Sequence, residues 1–252
     1  HSPYTLSLHD ALPIWKAFTL MNVPLALSVA LCASLVPIIA EAFYLGRRRE
    51  LIKRVDMAVK LSNVISLPSS LGMFFMAYPI MHLVFMRDAA GYEILKYISI
   101  CIPFVILTQT STAILQSIGN YMKPVYNLAL GCIVKVIVTY ILVSVSFVNI
   151  YGAVIGTILG YITSCLLNMH DLKKSLNIKF NKIDAFVKPA IAAIIMIVAV
   201  VFSDAIVYNY TMSGGLSCII SILIGVIVYL IFIFLLRVFE YQEIKNKFLS
   251  NK

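Results

Sequence analysis

Residues 61–86 read LSNVISLPSSLGMFFMAYPIMHLVFM, twenty-six positions without an Asp, Glu, Lys or Arg. A helix needs about 20 such residues to cross roughly 30 Å of hydrocarbon, so this stretch decides the solvent in which the chain folds. Working outward, residues 97–122 repeat the pattern, and residues 17–43 carry a single charge, Glu41, near their end. The run from 124 to 169 is too long for one crossing and is interrupted by Ser144, Ser146, Asn149 and Gly152. It divides into 124–146 and 150–169. Residues 186–208 and 214–236, parted by the turn-prone segment 209–215, bring the number of expected spans to seven.

Composition agrees. A chain that is 61% hydrophobic and 12% charged, with a mean hydropathy of +0.96, lies outside the range of soluble domains. The expected class is therefore all-α: a polytopic membrane bundle over residues 15–238, followed by a tail at 239–252. The net charge of +9 does not point to nucleic acid, because the basic residues stand in short blocks beside apolar segments and no aromatic-interleaved basic face exists. Those blocks carry topology instead. Sixteen of the twenty Lys and Arg fall in alternate gaps: the set from Arg47 to Lys60, Lys123, the set from Lys173 to Lys188, and the residues from Arg237 onward. The opposite gaps hold only Lys16, Arg87 and Lys96. Retention of positive loops on the cytoplasmic side then predicts a multi-pass membrane protein with a cytoplasmic C-terminus.

Seven spans with that orientation put the residues before 17 outside, although no cleavable signal precedes them. The stretch TLSLHDALPI at 5–14 is what one frame of a common sequencing adapter encodes. Residues 1–14 are accordingly expected to be a non-native leader, with native sequence starting near Trp15 and an upstream half missing.

Polar groups inside spans are costly and retained for function or packing. Lys135 is the one ionisable residue at the middle of a span, and Asn127, Gly131, Lys135 and Thr139 recur every fourth position on one helix face. The preceding span carries Thr108, Gln109, Thr112, Gln116 and Asn120 at spacings of three and four. The two stripes are expected to face each other, the Gln and Thr set either lining a cavity or bonding between helices. Ser62, Ser66, Ser69 and Ser70 form a third stripe, read as close helix packing. Glu41 and Asp204 read as interfacial charges. Pro24, Pro37, Pro68, Pro79 and Pro103 lie in or near spans, where each removes a helix hydrogen bond.

Catalytic chemistry finds no footing. No His pair, Cys-x-x-Cys or HExxH spacing offers a metal site, no Gly-rich phosphate loop exists, and Cys32, Cys101, Cys132, Cys165 and Cys218 are scattered singly through apolar segments. No cofactor, metal or enzymatic activity is expected.

Pro24-Leu-Ala-Leu-Ser-Val-Ala-Leu through Val36-Pro37-Ile-Ile-Ala-Glu41 resembles the Pro-containing helix that opens the second bundle of polysaccharide-transport flippases in the multidrug/oligosaccharidyl-lipid/polysaccharide superfamily. Ile114-Leu-Gln116-Ser-Ile-Gly119-Asn-Tyr-Met-Lys123-Pro124, then Gly131-Cys-Ile-Val-Lys135 and Tyr151-Gly152-Ala153, are similar to stage V sporulation protein B and its relatives. Such proteins have about fourteen helices in two pseudo-symmetric bundles. The resemblance implies that these seven are helices eight to fourteen, that the absent first bundle is a partner, and that the substrate is a lipid-linked saccharide moved by alternating access for spore, cell-wall or polysaccharide synthesis. Lys135, with Asn127, Thr139, Gln109, Thr112 and Gln116, then lines the substrate cavity, where a cation in low dielectric attracts a pyrophosphate. Pro24 and Pro37 become hinge candidates. Two other readings stay open: a cation-coupled multidrug exporter of the same superfamily, which calls for a carboxylate deep in a span, and a truncated fragment without activity.

Overall fold

The computed structural model describes residues 8–85, 88–144, 150–178, 180–181 and 183–238, and every regular element among them is helical. In chain order these are α1 (Leu8–Tyr44), α2 (Arg48–Phe75), α3 (Ala77–Val84), α4 (Tyr92–Ile98), α5 (Ile102–Ser117), α6 (Met122–Val143), α7 (Ile150–Leu176), α8 (Lys188–Thr211) and α9 (Gly214–Leu235). A 3-10 turn, Ser99–Cys101, joins α4 to α5, and a π turn, Ile183–Val187, leads into α8. Six spans among the described residues are long and apolar enough to cross a bilayer, and a seventh is the bent pair of α2 and α3. The all-helical, seven-span expectation therefore holds with one correction. Residues 61–86 do not form a straight crossing.

The bend has a covalent cause. Pro79 has no N–H to give to the Phe75 carbonyl, and its ring crowds the preceding turn. The chain breaks at Met76 and α3 departs at 84°. The boundaries at the other end also differ from the expected ones, since α2 begins at Arg48, well before residue 61. Its basic first turns are helical because Leu51, Val55, Ala58 and Val59 bury one face in a core cluster that also holds Ile39 and Ala42 of α1, Ile114 and Leu115 of α5 and Leu172 and Leu176 of α7. Likewise α7 runs on to Leu176, past the expected end at 169. The adapter-like stretch overlaps the first turns of α1, whereas residues 1–7, the tail 239–252, and Arg87, Ser146 and Asn149 lie outside the described residues.

α2 is the hub, packing against α1, α5 and α8. Three hydrogen bonds at this hub share one origin. A proline leaves the carbonyl four residues earlier without its helical donor, and each such carbonyl here finds a side chain across a helix boundary. Tyr229 on α9 donates to Val64 O, which Pro68 leaves unpaired, at 2.8 Å. Ser70 donates at 2.8 Å to Ser99 O, which Pro103 cannot reach and which otherwise accepts only from the Ile102 N–H of the 3-10 turn. Asn63 Nδ2 donates to Ala185 O, four residues before Pro189, at 2.8 Å. In hydrocarbon no water would satisfy these groups, so the prolines fix which helices α2 must touch.

α6 is attached differently. It lies along α7, touches α5 only sparsely, and buries just Pro124, Asn127 and Gly131. The seam is made of glycine: a Cβ at Gly160 would stand 2.8 Å from Gly131 O and 2.9 Å from Lys135 Cβ, and one at Gly156 would stand 2.2 Å from Thr139 Oγ1. Small residues every fourth position let two backbones approach where lipid supplies no hydrophobic drive.

Candidate functional site

The expected juxtaposition of the α5 and α6 stripes is indirect, because α7 stands between them as a floor. Asn168 of α7, fully buried, makes the link. It accepts from Asn127 Nδ2 at 2.9 Å and donates to Thr112 Oγ1 at 3.0 Å. Asn127 also donates to Asp171 Oδ2 at 2.7 Å, and Ser164 Oγ lies 3.3 Å from Asn127 O. Toward the basic end, Lys123 Nζ and Asn120 Nδ2 both reach Ser175 Oγ, at 3.0 and 3.4 Å. Ser164, Asn168, Asp171 and Ser175 thus form a polar row on α7 that was not singled out from sequence. Their spacing of four, three and four was readable, but ending the span at 169 cut the row in half. Asp171, expected in the loop after residue 169, belongs to the last turns of α7.

Lys135 sits near the middle of α6, exposed in this bundle and without a hydrogen bond or ion pair among the described residues. It borders a crevice of about 70 Å³ between α6 and α7, with Cys132, Tyr161 and Ser164. Thr139 Oγ1 and Gln109 Oε1 are buried and have no partner. Gln116 is exposed, Thr112 half-buried. Of the six cavity candidates, then, Asn127 and Thr112 are joined in one network, Thr139 lies against Gly156, and Lys135, Gln109 and Gln116 keep free polar atoms. Both proline candidates lie within a continuous α1, Pro24 buried and Pro37 exposed.

A second feature was not foreseen. An apolar groove of about 510 Å³ runs between α1, α2, α8 and α9, bounded by Pro24 and Leu27, by Pro68 and Met76, and by Val226 and Tyr229. Val23, Leu27, Val226 and Leu230 on its lips are half or more exposed, so it opens sideways at the depth of the spans.

A sequence model of the family described as MatE matches residues 16–141, half of the chain. The chain belongs to the MatE family. Its membrane-bundle resemblance is thereby borne out at the level of the superfamily. The lipid II flippase MurJ of Bacillus subtilis (strain 168) is similar, with 25% identity over 160 residues, 62% of this chain and 29% of that protein. Among solved structures, lipid II flippase MurJ in an inward closed conformation shares the fold, with a TM-score of 0.65 at 20% identity over 88% of this chain and 47% of that one. The chain spans less than half the length of the relatives it matches.

Proposed function

We propose that this MatE chain is one bundle of a flippase that carries a lipid-linked saccharide, such as a cell-wall, spore-cortex or polysaccharide precursor, across the plasma membrane. The observation that carries the reading is the coexistence of two unlike surfaces on one bundle. A lipid-linked sugar has an apolar tail and a polar, anionic head. The open apolar groove suits the tail, and the α5–α7–α6 furrow, with its one span-centre cation Lys135 and the free polar atoms of Gln109 and Gln116, suits the head.

The second bundle has a place to dock. Thr19, Asn22, Ala26, Ala30, Ala33 and Ser34 are exposed along α1, beside Val23, Leu27 and Val29, which are exposed as well, whereas α9 exposes chiefly Ile, Leu, Val and Phe. Small residues mark helix contacts in lipid and large aliphatic ones mark lipid itself. The small and polar positions of α1 are the surface that suits a companion bundle, and α9 suits the acyl chains. The cationic head site and alternating access both rest on that companion.

The test is flipping of a fluorescent lipid-linked disaccharide in proteoliposomes by the complete transporter. Lys135→Met and Val226→Trp, one at the head site and one on the groove lip, should each abolish flipping at unchanged membrane abundance. Near-normal flipping by both variants would refute the reading. A cation-coupled exporter is the second reading, favoured by Asp171, which accepts from Asn127 beside the Asn127–Asn168–Thr112 chain. It predicts export of organic cations that depends on a Na⁺ or H⁺ gradient and is lost in Asp171→Asn.

A further inference from the structure

We propose that the cleft between α3 and the α8–α9 turn is a saccharide-binding site at the end of the bundle opposite the basic loops. This rests on the lipid-linked saccharide reading above for the identity of its natural ligand. The cleft encloses about 850 Å³ and is lined by Tyr78 and His82 of α3, Asp204 and Tyr208 of α8, and Ser213 in the turn. That is the volume of a site for a multi-ring ligand, far more than one ion needs.

The bend at Met76 builds it. Were α2 straight, Tyr78 and His82 would continue along its axis; the 84° turn lays α3 against α9 instead. Tyr78 and His82 then stack with ring centroids 6.0 Å apart and planes 26° from parallel. Tyr92 meets Tyr78 edge-on at 5.5 Å. The result is an aromatic cluster in the cleft wall. A pyranose ring offers such a cluster its apolar C–H face, while its hydroxyls point outward to acceptors.

Asp204 is the acceptor. Ser217 Oγ lies within hydrogen-bonding range of its Oδ1 and of its backbone O, fixing the side chain. Its other oxygen has no partner among the described residues and is left for sugar hydroxyls. The mouth is open at Gly214, where a Cβ would meet nothing within 4 Å. The sign of the charge selects the part of the ligand. A carboxylate repels pyrophosphate and accepts from hydroxyls, so this cleft takes the sugar and not the phosphates. Placement is consistent with that division: Ile80 of the same short helix lines the apolar groove, and Tyr78 and His82 line the cleft. Tail and sugar are thus held on two sides of α3.

Binding of N,N′-diacetylchitobiose to the complete protein in nanodiscs, followed by saturation-transfer NMR and titration calorimetry, tests the site. Wild type binds, and Tyr78→Ala and Asp204→Asn each weaken binding tenfold or more, whereas Tyr44→Ala, an exposed tyrosine at the basic end, leaves it unchanged. Asp204→Asn keeps an acceptor for Ser217, and Tyr78 is 54% exposed, so neither change removes core packing. Absence of binding by wild type, or wild-type affinity in both cleft variants, would overturn the proposal. So would displacement of the disaccharide by tetramethylammonium, which would make the cleft an organic-cation site. Disaccharide binding by a protein that flips no lipid-linked saccharide would sustain the cleft and remove the flippase reading.

Discussion

Tyr229→Phe removes one oxygen and should cost far more than a surface hydroxyl does. The phenol is 7% exposed and donates to Val64 O at 2.8 Å. In soluble proteins an acceptor left buried and unpaired costs about 1–3 kcal/mol. Hydrogen bonds between membrane helices average only about 0.6 kcal/mol, with a maximum near 1.7, because freed groups find other partners. Pro68 has deleted the donor four residues after Val64, and the groove beside its carbonyl is apolar, so a replacement partner is hard to find. The cost should therefore sit at the top of the membrane range, about 1.5 kcal/mol, or roughly tenfold in the unfolding constant.

The reasoning makes a sharper demand in a double-mutant cycle. Pro68→Ala restores an N–H four residues after Val64, so in that background Tyr229→Phe should cost little, and the coupling should recover most of the 1.5 kcal/mol. Steric trapping in bicelles, which reads unfolding free energy within the membrane, measures all four corners. Equal costs of Tyr229→Phe with Pro68 and with Ala at that position would refute the proline-orphaned carbonyl as the cause.

Gly160→Ala should destabilise by about 1–3 kcal/mol and lower the folded yield, since its methyl would press on Gly131 O and Lys135 Cβ at under 3 Å. Gly72→Ala, where a Cβ meets nothing within 4 Å, should be neutral or stabilising by up to about 1 kcal/mol through helix propensity; the same thermal-unfolding series checks both. For orientation, single cysteines at Arg48 or Arg49 should resist a membrane-impermeant thiol reagent in intact cells and one at Ser213 should react, the reverse pattern inverting the topology.

Absence of charge made the spans legible, because the cost of a charge in hydrocarbon is paid residue by residue and needs no knowledge of neighbours. The same logic misled at the ends. Arg48 to Lys60 looked like a loop for being charged, yet Leu51, Val55 and Ala58 drive a helix there by burying one face in the core shared with α1 and α5. Asp171 was assigned to a loop for the same reason. At the candidate site, the four-residue spacing of Asn127, Gly131, Lys135 and Thr139 did put them on one side of α6, but the sequence of α6 contains nothing to say that α7, and not α5, lies opposite. That depended on Gly152, Gly156 and Gly160, whose lack of side chains is what brings α7 close enough. The groove and the cleft were illegible for a different reason: each is assembled from three or more helices by a bend whose angle follows from Pro79 only once the packing of α3 is known.

The prolines divide into two classes by the fate of the carbonyl each one strands. Pro68, Pro103 and Pro189 remove the donor four residues on from Val64, Ser99 and Ala185, and all three carbonyls accept from a side chain, Ser99 O from the Ile102 N–H as well, each side-chain bond having one end on α2. Bending α2, α5 or the start of α8 at those points would break a hydrogen bond that lipid does not replace, so these prolines stiffen the bundle. Pro24 and Pro37 strand Leu20 and Ala33 on α1, and among the described residues no side chain donates to either carbonyl. Flexing α1 at Pro24 or Pro37 therefore breaks no side-chain hydrogen bond at those two carbonyls, which separates these prolines from the three whose carbonyls tie α2 to its neighbours.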